Sequence, residues 1–294
     1  MSDYILSCCA PADLTPEWVE KRDIKFVPFN VTLDGESVKD DMGVSLSPKE
    51  LVMKMQQGAD AKTSQVSTGE YIEYFKPFLE AGKDVVHVSL STGISGTFQS
   101  ACIAANDLME KYPDRKIYTI DSMAASSGYG LLMELAADER DKGLSAEELA
   151  KWIEDNRLNL IHWFFSTDLS FYIKGGRISK TAGTIGQVLN ICPLLNVDFE
   201  GRLTPREKIR TKKKVIKRIV EKMVEEADDG VNYNSKCFIS QSDEELGKQV
   251  KDLVEETFPN LKGKVEMFDI GCTIASHTGP GTVALFFRGK KRVD

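Results

Sequence analysis

Apolar positions in the first half of the chain fall into two alternating rhythms, short unbroken runs and helix-period spacings. Tyr4–Cys9 (YILSCC), Ile24–Val31 (IKFVPFNV), the run from Val85 to Leu90 and Lys116–Asp121 (KIYTID) read as strands. Pro28 within the second run marks an edge or a bulge, because proline has no N–H for a ladder. Between the strands lie helix starts. Thr15-Pro16-Glu17 puts proline in a first turn, and Ser47-Pro48-Lys49-Glu50 has the capping-box pattern for a short helix through about Gln57. Leu33-Asp34-Gly35 is a turn, and Lys62-Thr63-Ser64-Gln65 reads as an irregular polar stretch. Helices are expected from a cap at Thr68 to about Ala81, from Ser95 to about Tyr112, over Leu131–Lys142 and from Ser145. Strands alternating with helices predict a parallel sheet covered on both faces. Ligands of such sheets bind beyond the carboxyl ends of the strands, where the Ser95 turn and Asp121-Ser122 both fall.

From about residue 160 the pattern changes. Ile161–Thr167 reads as a strand, Leu169–Ile173 as a short helical piece, Lys174-Gly175-Gly176-Arg177 as a turn and Ser179–Asn190 as a helix. Leu194–Phe199 and Arg202–Ile209 form an expected hairpin around Glu200-Gly201. A basic helix, Thr211–Val224, has Val215, Ile216, Ile219, Val220 and Met223 on its apolar side. Strands at Lys236–Ser240, Val265–Ile270 and Thr282–Phe287, with a helix from Ser242, complete the unit. The expected fold class is therefore α/β: an N-terminal parallel-sheet α/β domain over residues 1–160, followed by an α+β domain over 161–294.

Composition narrows the classes without choosing among them. The 294 residues are 41% hydrophobic and 28% charged, as in ordinary soluble chains, and the net charge of −7 gives no pull toward nucleic acid or an anionic surface. Six scattered cysteines, Cys8, Cys9, Cys102, Cys192, Cys237 and Cys272, contain no C-x-x-C pair. Reduced thiols, no bound metal and no disulfide framework are expected. The N-terminus lacks a basic-then-apolar signal and no apolar run approaches spanning length, so a cytoplasmic location is expected.

The densest chemistry lies in the turn after Val85–Leu90, where Ser89, Ser91, Thr92, Gly93, Ser95, Gly96 and Thr97 crowd a helix start. Free N–H groups and the positive dipole end suit an anion there, and Gly96 permits close approach. A serine at such a position ordinarily caps its own helix, but the number of hydroxyls exceeds what one cap requires. The turn is read as half of a ligand site. A serine hydrolase using Ser95 and His277, with Asp269 as its acid, is the competing interpretation. Thr97 stands where the nucleophile-elbow pattern has glycine, which counts against it. No G-x-G-x-x-G or P-loop pattern is present, so no nucleotide cofactor is expected. His87 and His162 sit inside expected strands and are assigned to the core.

Taken together, TSQ at 63–65, SGTFQSA at 95–101, DS at 121–122, KGGRIS at 174–179, R-x-x-K-K at 210–214 and HTGPG at 277–281 resemble the DegV family of bacterial fatty-acid-binding proteins. The resemblance implies a long-chain fatty acid, such as hexadecanoate, held between the two domains. It also implies a role as the acyl-binding subunit of a fatty acid kinase, presenting the carboxylate to a separate ATP-dependent kinase protein, with only transient contact at a membrane surface. Carried over by position, the carboxylate ligands fall on Thr63 and Ser95, with Ser64 and Gly96 beside them. Arg177, His277 and Arg210 match basic positions near the head group; Arg177 and His277 are expected to support phosphoryl transfer, and Arg210 with Lys213 to meet the partner. His277 is expected in a glycine-proline turn. Ser7-Cys8-Cys9 departs from the Thr-Asp-Ser usual in the family, and Val66 from a common proline.

Overall fold

The computed structural model describes residues 4–179 and 191–293. The first half builds a sheet from Tyr4–Cys9 (β1), Ile24–Val27 (β2), and, further on, Asp84–Ser89 (β6) and Ile117–Asp121 (β7). Between β2 and β6 in sequence lie Phe29–Leu33 (β3), Glu36–Asp40 (β4) and Ala61–Ser64 (β5), which form a separate antiparallel sheet. The four-stranded sheet runs β2-β1-β6-β7 and is parallel throughout. The helices of this half are Pro16–Lys21 (α1), Pro48–Gln56 (α2), Thr68–Glu80 (α3), Thr97–Lys111 (α4), Ser126–Asp141 (α5) and Ala146–Asn156 (α6).

The second half contributes Leu160–Ser166 (β8), Ile191–Val197 (β9), Leu203–Arg210 (β10), Phe238–Gln241 (β11), Glu266–Asp269 (β12) and Thr282–Arg288 (β13). They form one sheet in the order β10-β9-β8-β13-β11-β12, antiparallel except for β11 beside β12. Its helices are Ser170–Lys174 (α7), Lys212–Glu226 (α8), Glu244–Thr257 (α9) and Cys272–Thr278 (α10). The expected helix over Ser179–Asn190 falls on residues 180–190 and lies outside the described residues. No helix among the described residues is long and apolar enough to cross a membrane.

Strand periodicity explains how this sheet serves two cores. Along β13, Val283, Leu285 and Phe287 join a cluster with Val215, Ile219 and Met223 of α8. The intervening Ala284 and Phe286 point the other way, into a core shared with Leu6, Val86 and Leu132 of the first half. Both faces are covered, so the strand reads as a continuous apolar run rather than an alternating one.

Three expectations are corrected. The single strand over Ile24–Val31 is two strands in different sheets, with Pro28 at the break: β2 pairs with β1 as far as Val27, and β3 pairs with β4 and β5 from Phe29 onward. The supposedly irregular Lys62–Gln65 stretch is largely strand β5, with Val31 opposite Thr63. His277 lies not in a turn but in the last turn of α10, which ends at Gly279 with φ of 65°. The glycine-proline run stops that helix rather than replacing it.

Candidate functional site

Among the segments that line one cavity between the sheets, four carry its head-group residues. Strand β5 brings Thr63, the turn after β6 brings Ser95 and Gly96, the turn after α7 brings Arg177, and α10 brings His277. Apolar side chains make up much of the remaining wall, among them Phe29, Leu90, Ile94, Phe164, Ile270 and Phe286. Phe164 and Phe286 are there because they occupy the inward positions of β8 and β13.

Ser95 sits in a turn that is held from three sides. Its N–H donates to Ser91 O at 3.1 Å, and its Oγ accepts from Thr97 N at 3.3 Å. The hydroxyl therefore does help cap α4, while its proton stays available to an acceptor in the cavity. Asp121, at the end of β7, receives the Thr92 hydroxyl at 2.5 Å and the Thr92 N–H at 3.2 Å, tying this turn to its neighbour. From the second half, the hairpin at Gly201 (φ 74°) accepts a bond from Ser91 Oγ at 2.9 Å. A side chain at Gly93 would collide with the Gly201 carbonyl, so both glycines serve a close backbone crossing.

Thr63 Oγ1 lies 2.7 Å from His277 Nε2, and either atom can be the donor. Burial, and after it the nearby Arg177 guanidinium, pushes His277 down from about 6.5 to about 4, so the ring is neutral at neutral pH. Its Nδ1 is buried without a hydrogen-bond partner. Gly175 packs so closely on that nitrogen that a methyl group there would overlap it. Arg177 donates from Nε to Ile94 O at 3.2 Å and from Nη1 to Gly175 O at 2.6 Å. Burial also lowers its pKa, yet a guanidinium keeps its charge. Thus the Arg177 cation, the neutral His277 imidazole and the Thr63 and Ser95 hydroxyls meet at a cavity whose wall is otherwise largely apolar. They can donate to a carboxylate and offset part of its desolvation.

The other expected site residues separate. Ser64 follows Thr63 on β5, is exposed and does not line the cavity, as strand alternation requires. Arg210 and Lys213 are exposed at the end of β10 and the start of α8, away from the cavity wall, with no ion pair to any described residue. Cys8 and Cys9 are buried in the core, Cys9 Sγ lying 3.3 Å from Tyr71 OH. His87 is buried and bonded to Ser7 Oγ at 2.9 Å. His162 is likewise buried but also forms part of the cavity wall, its Nδ1–H donating to Leu160 O at 2.9 Å. No group of three or more potential metal ligands occurs among the described residues.

Some wall residues escaped the sequence reading. Gln65 approaches Gly96 closely, and Thr273, Ile274 and Thr278 share the His277 face of α10. The spacing of 273–274 and 277–278 is a helical signal, hidden by the glycine-proline run that follows it. A hydrolase arrangement is not formed: Asp269 Oδ1 accepts from Gln241 Nε2 at 2.5 Å, and His277 Nε2 meets Thr63 instead of Ser95.

Comparison with known proteins agrees with this architecture. A family model described as "Uncharacterised protein, DegV family" matches residues 10–290. The DegV domain-containing protein YteA of Lactococcus lactis is 34% identical over 285 residues, covering 95% of this chain and 96% of that one. A stearic acid-binding protein from Eubacterium ventriosum superposes with a TM-score of 0.84 at 27% identity, covering 97% of this chain and 98% of the other. The Streptococcus pneumoniae fatty acid kinase B3 protein, loaded with linoleic acid, shares the fold, with a TM-score of 0.83 at 23% identity over 99% of this chain and 100% of that one. The chain belongs to the DegV family.

Proposed function

We propose that this protein holds a long-chain fatty acid in the cavity, its carboxylate against Thr63 and Ser95, and presents that carboxylate to a separate ATP-dependent kinase for acyl-phosphate formation. The observation that carries the binding half is the union of Thr63, Ser95, Arg177 and His277 at one otherwise largely apolar cavity. The stearic acid bound by the Eubacterium ventriosum relative supports the same ligand class. The kinase half rests on the KGGRIS and R-x-x-K-K resemblance and on the chemistry of Arg177. In this reading the chain is a carrier in the cytoplasm rather than an enzyme, needs no cofactor, and divides near residue 160 into two domains with the ligand between them.

Affinity and orientation have different sources. Burying a sixteen-carbon tail at about 0.8 kcal/mol per methylene gives on the order of 11 kcal/mol gross, reduced by association and ordering costs. Each charge-assisted bond to the head group adds roughly 1.5–3 kcal/mol. The tail provides most of the binding, and the hydroxyls fix which end faces Arg177. Titration with palmitate and with hexadecanol tests this: palmitate is expected to bind more tightly, and equal affinity would remove the carboxylate from the account.

A further inference from the structure

A second cleft lies on the other side of the head-group residues. Thr63, Arg177 and His277 line both it and the buried cavity, so they form the partition between the two. The wall of the outer cleft includes Lys62, Lys174 and Gly175. Lys62 is the exposed neighbour of Thr63 on β5, and the two line the outer cleft together with Ala61. Lys174 ends α7, three residues before Arg177. Three cations and no acid are among the described lining residues. The adjoining Asp60 bridges the two lysines, at 2.7 Å to Lys62 and 2.6 Å to Lys174. Those two bonds hold its carboxyl down at about 2, so the bridge is ionised at any physiological pH.

We infer that the outer cleft is a phosphate subsite, where Lys62, Lys174 and Arg177 receive the phosphate of an acyl phosphate whose acyl chain occupies the inner cavity. This rests on the fatty-acid reading and extends it from the substrate to the product. When a carboxylate oxygen held at the partition attacks the γ-phosphorus of the kinase's ATP and ADP leaves, the product is an acyl phosphate dianion, and its phosphate is too polar for the apolar side. It must emerge where cations and space coincide, and the outer cleft supplies both. Gly175 matters here because a side chain would fill the approach to His277. Asp60 neutralises the lysines until a stronger anion competes for them. Both lysines are well exposed, so each contributes modestly and in a salt-dependent way.

The test uses the full chain, palmitate, and the methylene phosphonate analogue of palmitoyl phosphate. Wild type is expected to bind the analogue at least as tightly as palmitate. Replacing both lysines (Lys62→Ala with Lys174→Ala) should weaken the analogue about 5- to 30-fold while palmitate changes less than about threefold. Asp60→Asn should act in the opposite direction, tightening the analogue and leaving palmitate unaffected. Equal losses for both ligands in the double variant, or no effect of either change on the analogue, would overturn the subsite. Inorganic phosphate at millimolar concentration is expected not to compete, and competition would reassign the cleft to a free anion. Failure of the wild type to bind palmitate would instead overturn the fatty-acid reading, and the subsite with it.

Discussion

Thr63 and His277, 214 positions apart in sequence, meet at 2.7 Å and join strand β5 of the first half to helix α10 of the second. The contact exists because α10 packs directly on β3 and β5, with Asp40 at the end of β4 accepting the Thr273 N–H at 2.8 Å. One hydrogen bond thereby reports on the alignment of both halves at the head-group site.

Head-group hydroxyls should matter for affinity without deciding it. Thr63→Ala or Ser95→Ala is expected to weaken palmitate binding about 10- to 100-fold, the worth of one charge-assisted bond. Equilibrium titration of variants with wild-type circular dichroism checks this. Complete loss of binding in a folded variant would contradict the division between tail and head.

Arg177 should separate binding from phosphorylation. Arg177→Ala is expected to retain palmitate binding to within about tenfold, since the tail dominates, yet lose far more acyl-phosphate formation with a cognate kinase and ATP. Arg210→Ala should instead weaken kinase association, increasingly so as salt is lowered toward conditions where the wild type gains most. If Arg177→Ala reduces binding and phosphorylation by the same factor, it is a head-group ligand alone.

Gly175→Ala tests the packing behind His277. The added methyl overlaps His277 Nδ1, so the ring must shift and its bond to Thr63 weaken. Lower thermal stability and weaker palmitate binding are expected together. A variant unchanged in both would show that the contact does not hold the ring.

His277 also predicts a pH dependence. Its folded value of about 4 lies below the ordinary 6.5, so between these values the unfolded chain takes up the proton more readily. The contribution is fully present above about 6.5 and is lost as pH falls toward 4. His277→Gln should remove that part, so the stability difference between variant and wild type should shrink or reverse across this window in chemical denaturation. A constant difference from pH 7 to pH 4 would contradict a buried, neutral imidazole.

Much of the fold was legible because local chemistry and tertiary role agreed. The parallel strands β1, β6 and β7 are apolar runs, and Ser145 with Glu148 forms the capping box that its spacing suggests. The misread segments share a cause: tertiary partners overrode local signals. Lys62–Gln65 has no apolar run, yet pairing with β3 makes residues 61–64 a strand. That strand sets the difference between Thr63, which lines the cavity, and Ser64, which does not. Ser95 was identifiable from its crowded turn, whereas the Asp121 and Gly201 contacts that hold the turn in place depend on neighbours distant in sequence.

The central claim is that a long-chain fatty acid occupies the cavity, and native mass spectrometry of the purified protein addresses it most directly. The account predicts a mass increment equal to one long-chain fatty acid, released on denaturation and identified by its exact mass. It also predicts that added palmitate exchanges with that ligand at one-to-one stoichiometry. A chain that carries no acid and takes up none from added palmitate would contradict it.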